Sequence, residues 1–459
     1  MNQQKHLRLF GTDGIRARAG VFPLDDATVS LIGASLAQYL SERIEGRAPH
    51  IVIGRDTRES GPAIEAAISQ GARSRGAVVE SAGIITTPGV AFLARALPAD
   101  AGVVISASHN PYRDNGIKFF DPTGRKLDDA AERRIEADVQ AHRFEVGFDQ
   151  VEGVQSDSGL ALREKYLGYL EHEVAHDLSL AGLRVVIDCA NGAASALAPQ
   201  LFQDLGVDVV AINDEPDGRN INLNCGSLHL EELQERVVRE RANLGVAFDG
   251  DADRALFVDA AGNFVDGDAT LWILAGFMRS RGELNGNLVV ATVMTNLGLE
   301  VALNERGIKL ARTDVGDKYV LDELLQSQAS VGGEQSGHII FPRVSLAGDG
   351  MITALKVLGV MRAENRSLAD LASGFVRFPQ ILVNVRVREK ISFEDLPEVQ
   401  EKARAIQDAM GARGRLLLRY SGTEPLARVM VEGENEARVK TVAHELAEVI
   451  QAEIGSDDD

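Results

Sequence analysis

Three segments of the chain repeat one pattern of hydrophobic and polar positions. Each segment begins with a continuous apolar run rich in β-branched residues. A turn of small residues follows, then apolar positions at helical spacing, a glycine and a second apolar run. The segments are residues 50–88, 183–216 and 287–317. The pattern predicts three βαβ units, whose right-handed crossovers make mostly buried parallel sheets with ligand-binding loops at the carboxyl ends of the strands.

The pattern changes from about residue 375. The run ILVNVRVREK alternates apolar and polar residues, which predicts an antiparallel strand. RLLLRY and LARVMVEG flank a glycine turn, and an amphipathic helix closes the chain. The predicted fold class is therefore α/β: three similar mixed α/β domains built on βαβ units, followed by a smaller C-terminal α+β domain. The predicted domains span residues 1–155, 156–257, 258–373 and 374–459.

Length and composition agree with this organisation. A chain of 459 residues exceeds what one hydrophobic core supports and indicates three or four domains. Its 45% hydrophobic and 25% charged residues are typical of soluble globular proteins. The longest apolar runs are too short to cross a bilayer, and the start of the chain lacks an apolar export segment. Together with only two cysteines, which we expect to be buried, this predicts a cytoplasmic protein that contacts no membrane.

The net charge restricts the partners. A formal charge of −20 argues against a nucleic-acid partner. It also repels anionic small molecules, so cationic side chains must outweigh the global field at any phosphate site. Arg16, Lys118, Arg254 and Lys318 lie in or beside the motifs described next.

Ser108 is the most informative single residue. It lies in SASHNPYRDNGIKFF directly after the apolar run AGVVI, so the pattern places it on a turn at the end of a strand. Most serines in turns only cap backbone groups. Here His109 and Asn110 can donate hydrogen bonds to a phosphoryl group on the serine, and Lys118 can neutralise charge or move protons. We therefore interpret Ser108 as a carrier of a phosphoryl group.

The run DGDADR predicts a metal site. It lies between two apolar strands, and Asp249, Asp251 and Asp253 alternate along the turn, so three carboxylates can converge on one hard cation such as Mg²⁺. A calcium loop of the EF-hand type needs glycine at the sixth position and glutamate at the twelfth. The chain has Arg254 and Ala260 there, which excludes that loop. A phosphorylated Ser108 would complete the coordination shell.

Two further motifs contain groups suited to a phosphorylated sugar. In GGEQSGH, Glu334 can accept from vicinal hydroxyls with Ser336 beside it, although a glycine-rich bend with its glutamate in water has the same sequence. RYSGTEPLAR has the composition of a phosphate nest. Its donors are supplied by Arg419, Ser421, Gly422, Thr423 and Arg428. FGTDGIR near the start adds Arg16.

TDGIR, SASHNP, DGDADR, GGEQSGH and RYSGTEP occur in this order across nearly the whole chain. In this the chain resembles the α-D-phosphohexomutase superfamily. Within it, the FGTDGIR opening, the GGEQSGH loop and TDVGDKYV at 313–320 resemble the phosphoglucosamine mutase branch. That branch carries arginine more often than lysine at position 318. Lys318 keeps the charge there but loses the bidentate geometry of a guanidinium.

The resemblance implies an activity. Members of the phosphoglucosamine mutase branch are phosphorylated on the serine that matches Ser108. They interconvert glucosamine 6-phosphate and glucosamine 1-phosphate through a bound glucosamine 1,6-bisphosphate. The product supplies UDP-N-acetylglucosamine and peptidoglycan synthesis. The resemblance also implies four domains around a central cleft, one Mg²⁺ per subunit, a phosphorylated amino sugar as partner and, on this ground alone, a homodimer.

Roles for individual residues follow from the motifs and the resemblance together. The expected catalytic residues are Ser108, Lys118, His109, Arg16 and His338. The expected metal ligands are Ser108, Asp249, Asp251 and Asp253. The expected substrate-binding residues are Arg254, Asp317, Lys318, Glu334, Ser336, Arg419, Ser421, Gly422, Thr423 and Arg428.

Three alternatives remain open on the sequence alone. A metal-dependent phosphohydrolase also uses a serine and clustered aspartates, but such enzymes usually bind several metals through several histidines, and no histidine cluster lies near DGDADR. A non-catalytic sensor of sugar phosphates would not need Ser108 or Lys118. Within the mutase class, glucose or mannose phosphates are the alternative substrates, because single hydroxyl or amino contacts decide between hexoses.

Overall fold

The first predicted βαβ segment lies in a six-stranded sheet near the start of the chain. The computed structural model describes residues 9–11, 13–144, 157–421 and 425–456. The elements of this first region are β1 (Phe10–Gly11), β2 (Gly14–Arg18), α1 (Asp26–Ser41), β3 (His50–Arg55), α2 (Gly61–Arg73), β4 (Val78–Ile84), α3 (Thr87–Ala96), β5 (Ala101–Ile105), β6 (Asp114–Phe120) and α4 (Asp129–Gln140). The strand order is β1-β2-β6-β5-β3-β4, and β3 and β4 are parallel. The first predicted βαβ unit is confirmed.

Two neighbouring strands of this sheet bring two turns together. β3 and β5 are parallel, with Arg55 opposite Ile105 at their carboxyl ends. All five residues of β5 are buried, so the chain leaves the core at this edge and turns at residues 106–113. β6 then returns antiparallel to β5. The turns that follow β3 and β5 therefore lie side by side.

The second βαβ segment forms a five-stranded sheet. Its elements are α5 (Asp157–Tyr169), a π-helical turn (Leu170–Val174), β7 (Arg184–Asp188), α6 (Leu197–Asp204), β8 (Asp208–Ile212), a 3₁₀ turn (Gly226–Leu228), α7 (Glu231–Glu240), β9 (Leu244–Phe248), β10 (Ala255–Asp259) and β11 (Phe264–Val265). The order is β11-β10-β9-β7-β8, with β7 parallel to β8 and β9 antiparallel to β10. The predicted strand–turn–strand around DGDADR is confirmed as β9 and β10.

The third region contains a four-stranded sheet of order β13-β12-β14-β15. Its elements are α8 (Gly267–Ser280), a 3₁₀ turn (Asn285–Asn287), β12 (Leu288–Thr292), α9 (Leu297–Glu305), β13 (Lys309–Thr313), α10 (Asp317–Ser327), β14 (Gly332–Gly333), β15 (Ile339–Ile340), α11 (Gly350–Glu364) and α12 (Leu368–Ala372). The predicted strand–helix–strand order of the third segment is confirmed as β12, α9 and β13. The short strands β14 and β15 are antiparallel and flank the GGEQSGH turn.

The C-terminal region is a three-stranded antiparallel sheet with helices, as the alternating pattern predicts. Its elements are β16 (Gln380–Arg386), a 3₁₀ turn (Phe393–Asp395), α13 (Pro397–Met410), a 3₁₀ turn (Gly411–Arg413), β17 (Gly414–Tyr420), β18 (Leu426–Gly433) and α14 (Glu436–Ile454). The strand order is β16-β18-β17. Val429, Val431, Val439, Leu446 and Ile450 are among the residues of its own hydrophobic core.

By compactness the chain divides into two units. The first consists of residues up to Val293 together with Ala311–Ala372, and the second of Met294–Leu310 together with the chain from Ser373 onward. Among the described residues, every helix is too short or too polar to cross a membrane. Cys189 and Cys225 are both buried, as expected, and burial raises the pKa of both thiols, that of Cys225 to about 12.

Candidate active site

Ser108 lies on the turn that follows β5, with its side chain directed at an aspartate. Its backbone is left-handed, with φ of 52°, a conformation that is costly for a residue with a Cβ. The residue is only 1% exposed. Its Oγ donates to Asp249 Oδ2 at 2.5 Å. The structure therefore brings the predicted phosphoryl carrier against the predicted metal turn.

Three carboxylates converge at the DGDADR turn, as the alternate spacing predicts. Asp249, Asp251 and Asp253 are buried, and each offers an oxygen within 4.8 Å of the others. Gly250 makes the approach of the two turns possible, because a Cβ at this position would lie 2.5 Å from the Ser108 carbonyl oxygen. Any larger residue at position 250 would push the serine turn away from the carboxylates.

The electrostatics of this triplet fit a bound cation. Burial raises the pKa of Asp249 well above its usual range, and the neighbouring charges of Asp253 and Asp251 raise it further. Oδ1 of Asp251 and Oδ1 of Asp253 are buried without a hydrogen-bond partner among the described residues. Oxygen donors alone, two of them accepting no hydrogen bond from the described residues, are the set that Mg²⁺ prefers. The residues present therefore fit a magnesium ion.

Lys118 extends from β6 into the same cluster. Its side chain is 2% exposed, and Nζ lies 3.0 Å from Asp251 Oδ2 and 3.4 Å from Asp253 Oδ2. Burial alone would lower its pKa, but the carboxylates, Asp13 first, raise it well above the usual range. The amine is therefore charged and suited to neutralising negative charge beside the serine.

His109 and Arg254 flank the serine on its other side. His109 Nδ1 lies 3.4 Å from Ser108 Oγ and 3.2 Å from Arg254 Nη1. Burial, followed by the charges of Arg254 and Arg16, lowers the pKa of His109 to about 4. Its ring is therefore neutral near pH 7. Because Nδ1 faces a guanidinium donor, this geometry places the proton on Nε2, where it can be donated to a phosphoryl oxygen.

His338 lies across the triplet from Ser108. Its Nδ1 is 3.7 Å from Asp253 Oδ1, and its Nε2 is 3.9 Å from Asp317 Oδ2. Burial alone would lower the pKa of His338, but the adjacent carboxylates, Asp253 first, raise it to about 9. Gly348 makes room for this ring, since a Cβ there would lie 2.4 Å from its Nε2. His338 therefore carries a positive charge at neutral pH.

Glu334 and Ser336 face each other at the tip of the GGEQSGH turn. Ser336 Oγ donates to Glu334 Oε2 at 3.1 Å, and the amide of Gly316 donates to Glu334 Oε1 at 3.3 Å. Glu334 is thus held by protein donors rather than pointing only to water. This arrangement presents a carboxylate and a hydroxyl together, as recognition of sugar hydroxyls requires.

A cavity of about 580 Å³ borders part of this cluster. Lys118, Asp253, His338, Asp317 and Lys318 are among the residues that line it. The side chain of Lys318 is 43% exposed and forms an ion pair with Asp129. The structure therefore places Lys318 at the rim of the cavity and not beside the aspartate triplet.

Three residues that the sequence did not single out complete the cluster. Thr87 Oγ1 donates to Asp251 Oδ2 at 2.5 Å. Asp13 forms ion pairs with Arg16 and Lys126, and its Oδ2 lies 3.3 Å from Lys118 Nζ. Lys126 Nζ lies 2.6 Å from Asp317 Oδ2. The chain thus closes a ring of alternating charge: Asp253, His338, Asp317, Lys126, Asp13, Lys118 and again Asp253.

Only Asp13 had a sequence signal, because it lies within the TDGIR motif beside Arg16. Lys126 and Thr87 lie in ordinary loop and helix-start sequences. Their contacts depend on which strands become neighbours, and the hydrophobic pattern does not encode that order.

In the second compact unit, cationic side chains gather at the RYSGTEP hairpin. Arg419 on β17 and Arg428 on β18 are direct cross-strand partners. Arg428 Nη2 donates to Ser421 Oγ at 3.4 Å, and Lys390, which the sequence did not single out, donates to the Ser421 carbonyl oxygen at 2.6 Å. Burial, followed by the charge of Arg428, lowers the pKa of Arg419. The predicted residues Gly422 and Thr423 lie outside the described residues.

Comparison with known families covers almost the whole chain. Residues 7–146 match the family described as phosphoglucomutase/phosphomannomutase, alpha/beta/alpha domain I. Residues 164–262 and 266–378 match domains II and III of the same family, and residues 382–449 match its C-terminal domain.

Curated relatives and solved structures agree with these matches. A "Phosphoglucosamine mutase" of Solibacter usitatus is 50% identical over 97% of this chain and 99% of the relative. One of Deinococcus deserti is 48% identical over 98% of this chain and 99% of the relative. A phosphoglucomutase/phosphomannomutase family protein of Burkholderia thailandensis has a TM-score of 0.79 at 24% identity and 97% coverage of both chains. The Aspergillus fumigatus N-acetylphosphoglucosamine mutase, solved with GlcNAc-6P and magnesium, has a TM-score of 0.63 at 19% identity, covering 97% of this chain and 95% of that one. At these identities the two structures show a shared fold.

Proposed function

The chain belongs to the phosphoglucomutase/phosphomannomutase family, and from this premise we propose that it is a phosphoglucosamine mutase. It interconverts α-D-glucosamine 1-phosphate and D-glucosamine 6-phosphate through a phosphoserine at position 108. The observation that carries the proposal is the buried approach of Ser108 Oγ to Asp249, with Lys118 beside the same carboxylates. The curated relatives, 50% and 48% identical over nearly the whole chain, support the amino-sugar substrate.

Each half of the reaction is one phosphoryl transfer. A free hydroxyl of the sugar monophosphate attacks the phosphorus of phosphoserine 108, the bond from phosphorus to Ser108 Oγ breaks, and one proton moves from the sugar hydroxyl to Ser108 Oγ. The product is glucosamine 1,6-bisphosphate. It turns end over end, and the reverse transfer returns its other phosphoryl group to Ser108.

The cationic residues around Ser108 stabilise the transferring phosphoryl group. Lys118 and His338 hold positive charge beside the triplet, and Arg16 and Arg254 add guanidinium donors. His109 donates from Nε2 to a phosphoryl oxygen. Such preorganised charges and dipoles stabilise the charge that develops in the transition state. Lys118 and His338, with Arg16, are the residues we assign to proton handling and charge neutralisation during transfer.

We assign the metal site to Ser108, once phosphorylated, and the three carboxylates of Asp249, Asp251 and Asp253. A Mg²⁺ ion bound there supplies Lewis-acid polarisation of the phosphoryl group. The support for this assignment is that Oδ1 of Asp251 and Oδ1 of Asp253 are buried and accept no hydrogen bond from the described residues.

The sugar and its distal phosphate have separate binding groups in this proposal. Glu334 and Ser336 bind sugar hydroxyls. Asp317 and Lys318, which line the cavity, also bind the substrate. The distal phosphate binds to the RYSGTEP hairpin. The residues that bind it there are Arg419, Ser421, Gly422, Thr423 and Arg428.

The biological setting is part of the same proposal. Glucosamine 1-phosphate made by the enzyme supplies UDP-N-acetylglucosamine and peptidoglycan synthesis in the cytoplasm. We also propose a homodimer on the family resemblance, which sedimentation of the purified chain tests.

Side-by-side turnover of three substrates tests the proposed specificity. The values of kcat/KM for glucosamine 1-phosphate, glucose 1-phosphate and mannose 1-phosphate are measured at one Mg²⁺ concentration. We expect the amino sugar to exceed the other two by at least about 10-fold, the lower bound for one or two missing contacts. Equal kcat/KM on glucose 1-phosphate would contradict the amino-sugar assignment while leaving a mutase in place.

A further inference from the structure

A fully buried arginine lies directly behind the serine turn. Arg58 is 0% exposed and follows β3 in the run GRDTR, next to the turn that follows β5. Its Nε donates to Asp56 Oδ2 at 2.9 Å. Its Nη2 donates to the carbonyl oxygens of Ser108 at 2.9 Å and Asn110 at 2.8 Å. Its Nη1 donates to the carbonyl oxygens of Pro111 and Asp114.

Every N–H of this guanidinium therefore has a partner, and four of the five acceptors are backbone carbonyls of residues 108–114. A lysine offers only three donors from one point and cannot reproduce this planar arrangement. Burying a guanidinium is costly unless it is paired, and the Asp56 carboxylate supplies that pairing. This set of five acceptors around the Arg58 side chain is thus specific for arginine.

Asp56, the partner of Arg58, is also linked to the amide of Ser108. Ser106 Oγ donates to Asp56 Oδ2 at 2.7 Å and accepts from the backbone N–H of Ser108 at 2.9 Å. Asn222, on a loop of the five-stranded-sheet region, donates to the carbonyl oxygens of Ser108 at 2.9 Å and Asn110 at 3.1 Å. Side-chain hydrogen bonds therefore fix both the backbone N–H and the backbone carbonyl oxygen of Ser108.

These contacts account for the unusual backbone of Ser108. A left-handed residue with a Cβ persists only where the surrounding structure over-determines it, and the φ of 52° places Oγ against Asp249.

We propose that Arg58, held by Asp56, is a positioning residue for phosphoryl transfer, fixing the backbone of residues 108–114 so that the group on Ser108 lies in line for transfer. This inference rests on the proposed function only in taking Ser108 as the phosphoryl carrier. It gives the GRDTR run a role in turnover that does not involve contact with the sugar.

The test compares Arg58→Lys with Arg55→Lys, the same substitution three residues earlier, where the guanidinium pairs with Glu65 on α2. Folding is checked by circular dichroism. Ser108 phosphorylation by glucose 1,6-bisphosphate is followed by intact mass, and kcat and KM are measured on glucosamine 1-phosphate. We expect kcat and the phosphorylation rate of Arg58→Lys to fall about 100-fold, the scale of a misplacement near 1 Å. KM should stay within about threefold, since sugar contacts are unchanged. Arg55→Lys should match the wild type.

A folded Arg58→Lys with wild-type kcat, or with only KM raised, would overturn the inference. Should Arg58→Lys not fold, Ser106→Ala removes the link from Asp56 to the Ser108 amide with little change in volume. It should lower kcat about 10-fold, again without a matching change in KM, and wild-type kcat in it would equally overturn the inference. If the wild type takes phosphate on Ser108 but does not turn over glucosamine phosphate, the proposed specificity fails, and the phosphorylation rates still decide the role of Arg58.

Discussion

Three buried carboxylates within one turn repel each other, and the side chains around them show how the chain accommodates this. Lys118 faces Asp251 and Asp253. His338 faces Asp253, and Arg254 Nε lies 3.7 Å from Asp253 Oδ1. Oδ1 of Asp251 and Oδ1 of Asp253 nevertheless accept no hydrogen bond from the described residues. At the scale of single residues, this incomplete compensation is the strongest physical argument for a cation.

Asp251→Asn tests that argument. The amide keeps the acceptor for Thr87 but loses the charge that holds a divalent cation and pairs with Lys118. We expect kcat/KM at saturating Mg²⁺ to fall at least about 100-fold, because metal-dependent charge stabilisation amounts to several kcal/mol. The half-saturating Mg²⁺ concentration should rise, as measured by titrating activity with Mg²⁺.

Asp259→Asn is the matched control, since Asp259 is a buried aspartate at the other end of β10 whose carboxylate accepts from the amides of Ala261 and Asn263 in its own turn. It should leave the Mg²⁺ titration unchanged. An Asp251→Asn enzyme with the wild-type rate and Mg²⁺ dependence would refute the metal assignment.

Individual residues differ in how far the sequence predicts them. The alternate spacing of Asp249, Asp251 and Asp253 is local, so their convergence could be predicted. Lys126 meets Asp13 across 113 positions, and that contact depends on β2 pairing with β6. Local pattern carries no information about such pairings, which is why Lys126 and Thr87 were missed.

At the scale of elements, the β17–β18 hairpin places two guanidinium-bearing residues opposite each other. Like charges on direct cross-strand partners repel each other, and a bound anion would relieve the repulsion between Arg419 and Arg428. Ser421 and Lys390 lie at the same end of the hairpin. This is the arrangement expected of a phosphate-binding element.

Arg428→Met should therefore weaken binding of the phosphate without lowering the thermal stability of the protein. The loss of one charged hydrogen bond to phosphate lowers kcat/KM for glucosamine 1-phosphate by about 10- to 100-fold. The melting temperature of the ligand-free protein should not fall, because one of two opposed charges is gone. Steady-state kinetics and thermal unfolding measure the two effects.

Arg413→Met is the control, because Arg413 is exposed beyond the other end of β17 and pairs with Glu434. Its kcat/KM should equal that of the wild type. An Arg428→Met protein with unchanged kcat/KM would remove this hairpin from the phosphate site.

Helix α4 carries a carboxyl group whose titration affects stability. Burial, followed by the charge of Asp129, raises the pKa of half-buried Glu132 from 4.5 to about 7. As the pH rises from 4.5 to 7, the unfolded chain ionises before the folded one, so this group lowers the stability of the fold over that window. Above pH 7 Glu132 lowers the free energy of unfolding by its full amount.

Glu132→Gln should therefore raise the free energy of unfolding at pH 8 by on the order of 1 kcal/mol, allowing for the water that still reaches the group, and leave it unchanged at pH 4. Denaturant unfolding at both pH values measures this. Exposed Glu235 on α7 provides the control variant, Glu235→Gln, with no change at either pH. A gain at pH 4 that equals the gain at pH 8 would contradict the ionisation argument.

The elements themselves were largely predictable. The β-branched runs and helical spacings specify β3, α2 and β4, and the alternation after residue 375 specifies β16. The two-residue strands β14 and β15 were not predicted, because two residues carry no periodicity. The hydrophobic pattern also did not predict the order of the strands in each sheet, because that order arises from packing between segments distant in sequence.

At the scale of the whole molecule, the charge of −20 and an anionic substrate are reconciled locally. Around Ser108, five carboxylates face five positive groups. The carboxylates are those of Asp13, Asp249, Asp251, Asp253 and Asp317, and the positive groups are Arg16, Lys118, Lys126, Arg254 and His338. These positive groups offset much of the local negative charge, and a bound Mg²⁺ would add the further positive charge that a phosphoryl dianion requires.

The central claim is that Ser108 passes its phosphoryl group to an amino-sugar phosphate. It is tested most directly by charging the enzyme with a radioactive phosphoryl group from labelled glucose 1,6-bisphosphate, removing the donor, and adding unlabelled glucosamine 6-phosphate. Ser108→Ala should take up no label. In the wild type, we predict that the label leaves the protein and appears in glucosamine 1,6-bisphosphate and the monophosphates. Release of the label as inorganic phosphate would show a hydrolase, and label that stays on the protein would show that Ser108 does not pass its phosphoryl group to the amino-sugar phosphate.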